Sequence, residues 1–176
     1  METLKAIAMR RSTRAFKPDQ ISDEVLDTIL GAGCAAPVGM RDYDSLHLTV
    51  LQNKELLDEL SKATANFFGR PDMDPLYGAP TVVIVSSTKN TKIPGIEYCN
   101  AACVIENMLL TATDMGLGSV YLMGCIGPLN NSPDLLKKLD LPEGYRPVSA
   151  VALGHPVEPL TGEKDLKKTI AVNYLK

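Results

Sequence analysis

The chain of 176 residues contains no tryptophan, and aromatic residues make up only 5% of it. It also lacks a strong excess of either charge, because its formal net charge is −3 at pH 7. Nucleic-acid-binding domains typically present a basic surface with stacking aromatics, which this composition disfavours. No apolar run approaches the roughly 20 residues that cross a bilayer, and no long apolar segment opens the chain. We therefore predict a cytoplasmic protein with no nucleic-acid partner and no membrane partner.

Metal-binding and catalytic motifs are missing as well. Four cysteines occur without a Cys-x-x-Cys pair, and the two histidines lie far from them in sequence. Zinc sites need tighter spacing, so we predict no metal site and four buried, reduced thiols. The nucleophile elbow, the phosphate loop and the dinucleotide fingerprint are all absent. We therefore assign no catalytic side chain, and expect a cofactor to supply any reactive atom.

One long helix organises what is present. Residues 96–115 lie between Pro94–Gly95 and Gly116, and their apolar side chains cover more than one face. Such a helix is usually buried on more than one side, which predicts a core helix that also forms part of a homodimer seam. Further helices are predicted at 2–9, from Ser22 to Gly31 or Gly33, after Asn53, and at 133–139. Strands are predicted at 46–51, 81–86, 119–123, 148–153 and near 170–172. Helices alternate with strands, which predicts one α/β or α+β domain over 1–176, with the last strand added to a partner's sheet.

A basic cluster follows the first helix. Arg10, Arg11, Ser12 and Arg14 place three guanidinium groups and a hydroxyl within five residues. A phosphate dianion prefers this combination of planar, bidentate donors with an additional hydrogen bond. The alternative is a solvated basic turn that neutralises the carboxyl end of the helix.

Two other segments are candidate ligand contacts. The loop Pro37–Arg41 is small and contains a glycine, so its backbone could lie against a flat ligand. An ordinary connection between helix and strand is the alternative. Gly154 and His155 follow a buried strand, where ligand contacts often occur, although a lone histidine there is more often structural.

Read in order, these segments resemble the nitroreductase family of FMN-dependent oxidoreductases over nearly the whole chain. The resemblance is carried by Arg10–Phe16, Ala35–Pro37, Tyr77–Pro80, Asn107–Ser119 and Val151–Pro156. It implies an α+β fold with a central, mainly antiparallel sheet flanked by helices, as an intertwined homodimer with an exchanged C-terminal strand. It further implies FMN at the subunit interface. The activity implied is NADH- or NADPH-dependent reduction of nitroaromatics, quinones or similar small oxidants, by ping-pong hydride transfer through flavin N5.

The resemblance also implies roles for individual residues. Arg10 and Ser12 would bind the phosphate or ribityl chain, and Arg14 would lie near N1 and O2, where its charge stabilises reduced flavin. The remaining contacts implied are Arg11 in the same cluster, Asn66 at N3 or O4, Pro37, Val38, Gly39, Met40 and Arg41 from the other subunit, Leu122, Met123 and Gly124 at the ring and N5, and Gly154, His155 and Lys164 near the phosphate.

One departure from the family pattern affects the flavin loop. Family members commonly continue Ala-Pro-Ser into Asn-x-Gln-Pro-Trp, whereas this chain has Val38 in place of the serine and Arg41 in place of the asparagine. Polar ligands for the flavin tail are lost, although Arg41 offers a phosphate donor instead. A flavin-binding or flavin-sequestering protein without turnover is therefore the alternative function.

Overall fold

The computed structural model describes residues 1–176 and places six α-helices around one four-stranded sheet. The strand order is β1-β2-β4-β3, and every neighbouring pair is antiparallel. This arrangement confirms the predicted α+β fold. The elements are α1 Thr3–Met9, α2 Asp23–Cys34, β1 Leu46–Leu51, α3 Lys54–Phe67, β2 Thr81–Thr88, α4 Ile96–Asp114, β3 Gly118–Leu122, α5 Ile126–Asn130, α6 Pro133–Lys138 and β4 Tyr145–Gly154.

The sheet is covered on both faces. Leu60 and Leu129 pack with Ile84 on the face that carries α3, α5 and α6. Ile105 and Met108 of α4 pack on the opposite face, together with α2. A strand covered on both sides needs apolar side chains at successive positions, which explains the unbroken Val-Val-Ile-Val run of β2.

Side-chain caps start two of the helices where the sequence predicts them. The Ser22 hydroxyl accepts a hydrogen bond from the Val25 amide at 3.4 Å, and the side-chain Oδ1 of Asn53 accepts one from the Leu56 amide at 3.0 Å. The predicted end of α2 at its glycines is wrong, because the helix continues to Cys34. Gly33 is instead a packing residue, since a Cβ there would lie 2.5 Å from Cε of Met108 on α4.

Helix α4 is less enclosed than predicted. Its inner face is buried against the sheet and α2, but Tyr98, Cys99, Ala102, Cys103 and Glu106 are exposed on the other side. The prediction that α4 is buried on more than one side is therefore wrong for a single chain. The exposed stripe is the part of α4 that a second subunit would have to cover for the seam prediction to hold.

The thiols also differ from the prediction. Cys34, Cys99 and Cys103 are exposed, and only Cys125 is buried. Burial raises the pKa of the Cys125 thiol to about 12, although a backbone hydrogen bond acts in the opposite direction. Only Cys125 therefore behaves as the inert, apolar group that was predicted for all four.

Three regions show local structure that the sequence patterns did not predict. Helix α5 follows β3 directly, and two short 3-10 turns occupy 39–41 and 43–45. Residues 157–176 form neither helix nor strand within the chain, so the strand near 170–172 is not formed here and its exchange with a partner stays a prediction. None of the helices combines the length and the hydropathy that crossing a bilayer requires.

Candidate functional site

The basic segment after α1 lies beside the outer edge of β3. The Thr13 amide donates to the Ser119 carbonyl at 2.9 Å, and Ser12 forms a parallel bridge with Ser119. Gly118 permits this approach, because a Cβ there would lie 2.8 Å from Cγ2 of Thr13. The backbone of β3 therefore fixes the arginine cluster at one end of that strand.

The C-terminal segment brings a fourth cation, Lys164, to this cluster of three arginines. The Lys164 amide donates to the Ala8 carbonyl at 2.9 Å, and Nη2 of Arg11 donates to the Gly162 carbonyl at 2.7 Å. Desolvation and the nearby charge of Arg10 lower the pKa of Lys164, and Arg11 adds to this effect while Glu106 opposes it. These cations repel one another, and a bound anion would reduce that repulsion.

A cleft of about 430 Å³ opens next to the cluster. Arg11, Ser12 and Arg14 line one side, and residues 156–161 line the other. The Oγ1 atom of Thr13, which also lines the cleft, is buried without a hydrogen-bond partner. Guanidinium groups, an exposed hydroxyl and an unpaired buried hydroxyl together suit a ligand with a phosphate and further polar oxygens.

A second, smaller slot of about 170 Å³ lies near the other end of β3. Leu122, Met123 and Gly124 line it together with Tyr77 and Phe68. Neither the Met123 amide nor the Gly124 amide donates a hydrogen bond within the chain. The predicted ring-facing turn therefore presents two free backbone donors beside a mainly apolar slot.

Arg14 connects the cleft with the slot. It lines the cleft, while its guanidinium carbon lies 5.9 Å from the centre of the Tyr77 ring, which lines the slot. From Ser119 to Met123 the strand direction covers roughly 13 Å at about 3.3 Å per residue. A cationic cleft and a mainly apolar slot therefore lie within this distance of each other along β3.

The loop Pro37–Arg41 lies elsewhere in the chain. The Gly39 amide donates to Oδ1 of Asn100 at 2.9 Å, and a Cβ at Gly39 would lie 2.3 Å from Cδ1 of Ile96. These contacts hold the loop at the amino end of α4, with Val38 buried and with Met40 and Arg41 at φ values of 56° and 55°. The loop lines neither the cleft nor the slot, so one chain does not bring it to the other predicted residues.

Asn66, Gly154 and His155 were also predicted as contacts, but they line neither the cleft nor the slot. Asn66 is exposed near the end of α3, two residues before Phe68 of the slot. Gly154 is buried, and a Cβ there would lie 2.8 Å from Cδ of Pro80, so close packing accounts for this glycine. The His155 carbonyl accepts from the Lys17 amide at 2.8 Å, next to Pro156 of the cleft.

Sequence reasoning missed most residues of the slot, among them the aromatic residues Tyr77 and Phe68. Tyr77 occurs in a segment that carries the family resemblance, but no pattern showed that its ring lies beside Arg14. Phe68 follows Phe67 at the end of α3, and the two exposed rings contact each other. The sequence signal for this position is the pair of adjacent aromatic residues. No group of three or more His, Cys, Asp or Glu side chains is arranged to hold a metal ion.

Comparison with known proteins identifies the family. The Nitroreductase family profile matches residues 7–155. A Methanothermobacter thermautotrophicus protein named as a candidate NADH dehydrogenase/NAD(P)H nitroreductase is 31% identical over 94% of this chain and 83% of its own length. A Bacteroides fragilis nitroreductase crystallised with bound FMN superimposes with a TM-score of 0.83 at 32% identity, over 99% of this chain and 100% of that chain. A Desulfitobacterium hafniense nitroreductase with bound FMN gives a TM-score of 0.84 at 26% identity, over 99% and 98% of the two chains. The chain therefore belongs to the nitroreductase family.

Proposed function

We propose that this protein is an FMN-dependent oxidoreductase that takes electrons from NADH or NADPH and passes them to nitroaromatics, quinones or similar small oxidants. The observation that carries the proposal is the row formed along β3 by the cation cluster, Arg14 and the free amides of Met123 and Gly124. Family membership and relatives crystallised with FMN support it. The cytoplasmic location and the single domain over 1–176 stay predictions.

The donor set fits FMN. Arg10, Arg11 and Lys164 would hold the phosphate, because planar guanidinium groups and an ammonium group bind a dianion through charge-assisted hydrogen bonds. Ser12, with an exposed hydroxyl beside the cleft, is suited to the ribityl oxygens. Arg14 would lie at the pyrimidine edge, and the Met123 and Gly124 amides at N5.

Bound FMN would supply the hydride chemistry, accepting hydride at N5 from NAD(P)H and donating it to the oxidant that then occupies the same site. The chain's own residues bind and orient the reactants. The Arg14 guanidinium would place positive charge where negative charge develops on reduction, and the amides of the 123–124 turn would donate to the reacting edge. The slot formed by Phe68, Tyr77 and Met123 would cover one side of that edge with apolar surface.

A second subunit would complete the site. The exposed stripe on α4 and the separate position of Pro37–Arg41 support a homodimer in which each loop reaches the partner's flavin. Residues 170–175 support strand exchange, because Ile170 and Leu175 are 82% and 92% exposed and have no apolar cover within their own chain. The oligomeric state in solution, measured by light scattering, tests this part of the proposal.

The absorbance spectrum of the purified protein, before and after anaerobic addition of NADH or NADPH, tests the function. A yellow protein that bleaches with either nucleotide, and recovers its colour with a quinone, is the expected result. A yellow protein that neither nucleotide bleaches would favour flavin sequestration without turnover, for which the altered loop at Val38 and Arg41 is the reason. Colourless protein that also fails to bind added FMN would contradict the proposal.

A further inference from the structure

The turn between α3 and β2 is organised by one carboxylate. Oδ1 of Asp74 accepts hydrogen bonds from the Leu76 amide at 3.0 Å and from the Ser61 hydroxyl at 2.8 Å. Oδ2 of Asp74 accepts from the Gly78 amide at 2.5 Å. Both oxygens are therefore occupied, and the turn is fastened to α3 through Ser61.

This turn holds a tyrosine in an unusual backbone conformation. Tyr77 has a φ of 59°, and Gly78 follows with a φ of 69°. A positive φ is an outlier for a bulky side chain, and it persists only where the surroundings enforce it. The hydroxyl of Tyr77 makes no hydrogen bond within the chain, so the ring is the part of the side chain whose position the turn controls.

The ring lies where the two parts of the candidate site meet. The guanidinium carbon of Arg14 is 5.9 Å from the ring centre, within the range of a cation–π contact. Arg14 forms no salt bridge with any carboxylate. On its other side the ring lines the slot beside Met123 and Gly124.

We propose that Tyr77, held in place by the Asp74-centred turn, is a positioning residue for Arg14. Its ring holds the Arg14 guanidinium against the pyrimidine edge of the flavin, and this raises the reduction potential of the flavin. This inference rests on the proposed function. Arg14 is exposed and would otherwise sample many rotamers, so the ring restricts it to the direction in which its charge faces N1 and O2. Two-electron reduction places negative charge on that edge, and a fixed cation stabilises the reduced form more than the oxidised form.

Three variants of Tyr77 separate the contribution of the ring from that of the backbone. Tyr77→Phe keeps the ring and removes only the hydroxyl. Tyr77→Asn removes the ring and tolerates a positive φ, and Tyr77→Gly removes it with no backbone strain at all, so folding does not depend on one variant. Melting curves followed by circular dichroism check that each variant is folded.

Binding and redox measurements provide the readout. FMN affinity is measured by quenching of flavin fluorescence, and the potential by equilibration with a reference dye. We expect Tyr77→Asn and Tyr77→Gly to weaken the binding of reduced relative to oxidised FMN about tenfold, which lowers a two-electron potential by about 30 mV. Tyr77→Phe should keep the potential of the unmodified protein. In an Arg14→Gln background, Tyr77→Asn should cause no additional shift.

Three results would overturn the inference. The first is a potential that stays the same when the ring is lost. The second is a phenylalanine variant whose potential shifts as far as that of the asparagine variant. The third is a shift of equal size with and without Arg14. In each of these cases FMN still binds, so the proposed function stands while the role of Tyr77 fails. If the unmodified protein binds no FMN, both proposals fail.

Discussion

The phosphate assignment yields the sharpest prediction, because riboflavin differs from FMN only by the phosphate group. The double variant Arg10→Ala with Lys164→Ala removes two of the three cations that are assigned to the phosphate, and leaves Arg14 and the slot unchanged. Each charge-assisted hydrogen bond contributes about 1.5–3 kcal/mol, so two lost contacts weaken FMN binding by roughly 3–6 kcal/mol. That range corresponds to about 10² to 10⁴-fold in Kd.

Solvent exposure places the expected value near the lower limit of that range. Lys164 is exposed and Arg10 is only partly covered, so water and salt screen both charges. A loss of about 10²-fold at moderate ionic strength is therefore the working expectation. The loss should shrink further at high salt, because a screened contact contributes less to the starting affinity.

Titration calorimetry with FMN and with riboflavin is the assay. Riboflavin should bind the double variant and the unmodified protein equally. Lys168→Ala is the matched control, because this tail lysine is also exposed and its ammonium group contacts the Tyr174 hydroxyl rather than the cluster. Equal losses for FMN and riboflavin, or an unchanged FMN affinity, would refute the assignment of Arg10 and Lys164 to the phosphate.

Three further outcomes test the packing, the seam and the cation cluster. Gly39→Ala places a Cβ against Ile96, and overpacking of about 1–3 kcal/mol should lower the melting temperature; an unchanged melt would refute the docked loop. Cys99 and Cys103 should react slowly with a thiol reagent in the dimer and quickly after dilution to monomers, whereas equal rates would contradict the seam. Desolvation and, after it, the neighbouring arginines lower the pKa of Lys164, and a bound phosphate would raise it. FMN affinity should therefore fall as pH rises through that lowered pKa, and a Lys164→Gln variant should lose this dependence.

Local chemistry accounts for the parts of the fold that were predicted from sequence. Ser22 and Asn53 cap helices because their side chains reach amides three residues ahead, which depends on nothing distant in the chain. Gly33 shows the limit of this reasoning. A glycine near a helix end normally suggests termination, but here the close approach of Met108 requires it, and only the packed structure contains that information.

The site was predictable where one segment contains all of its chemistry. Arg10 and Ser12 stand out because their side-chain types and spacing suit a phosphate. The position of Lys164 beside them depends on the path of the C-terminal segment, and that of Tyr77 depends on a strained turn. Local periodicity does not encode long-range contacts of this kind. The family resemblance implied the position of Lys164, but it did not reveal that of Tyr77.

The geometry of α4 suits the homodimer proposed above. The loop Pro37–Arg41 contacts the amino end of this helix at Ile96 and Asn100, whereas the chain's first residue pairs with Asp114 at its carboxyl end. Those ends are about 27 Å apart at roughly 1.5 Å per residue. Two copies packed antiparallel through the exposed stripe would bring each loop alongside the partner's arginine cluster, as a two-fold interface requires. FMN affinity should therefore fall when the protein is diluted below its dimer dissociation constant, and an affinity independent of protein concentration would show that a single chain holds the whole site.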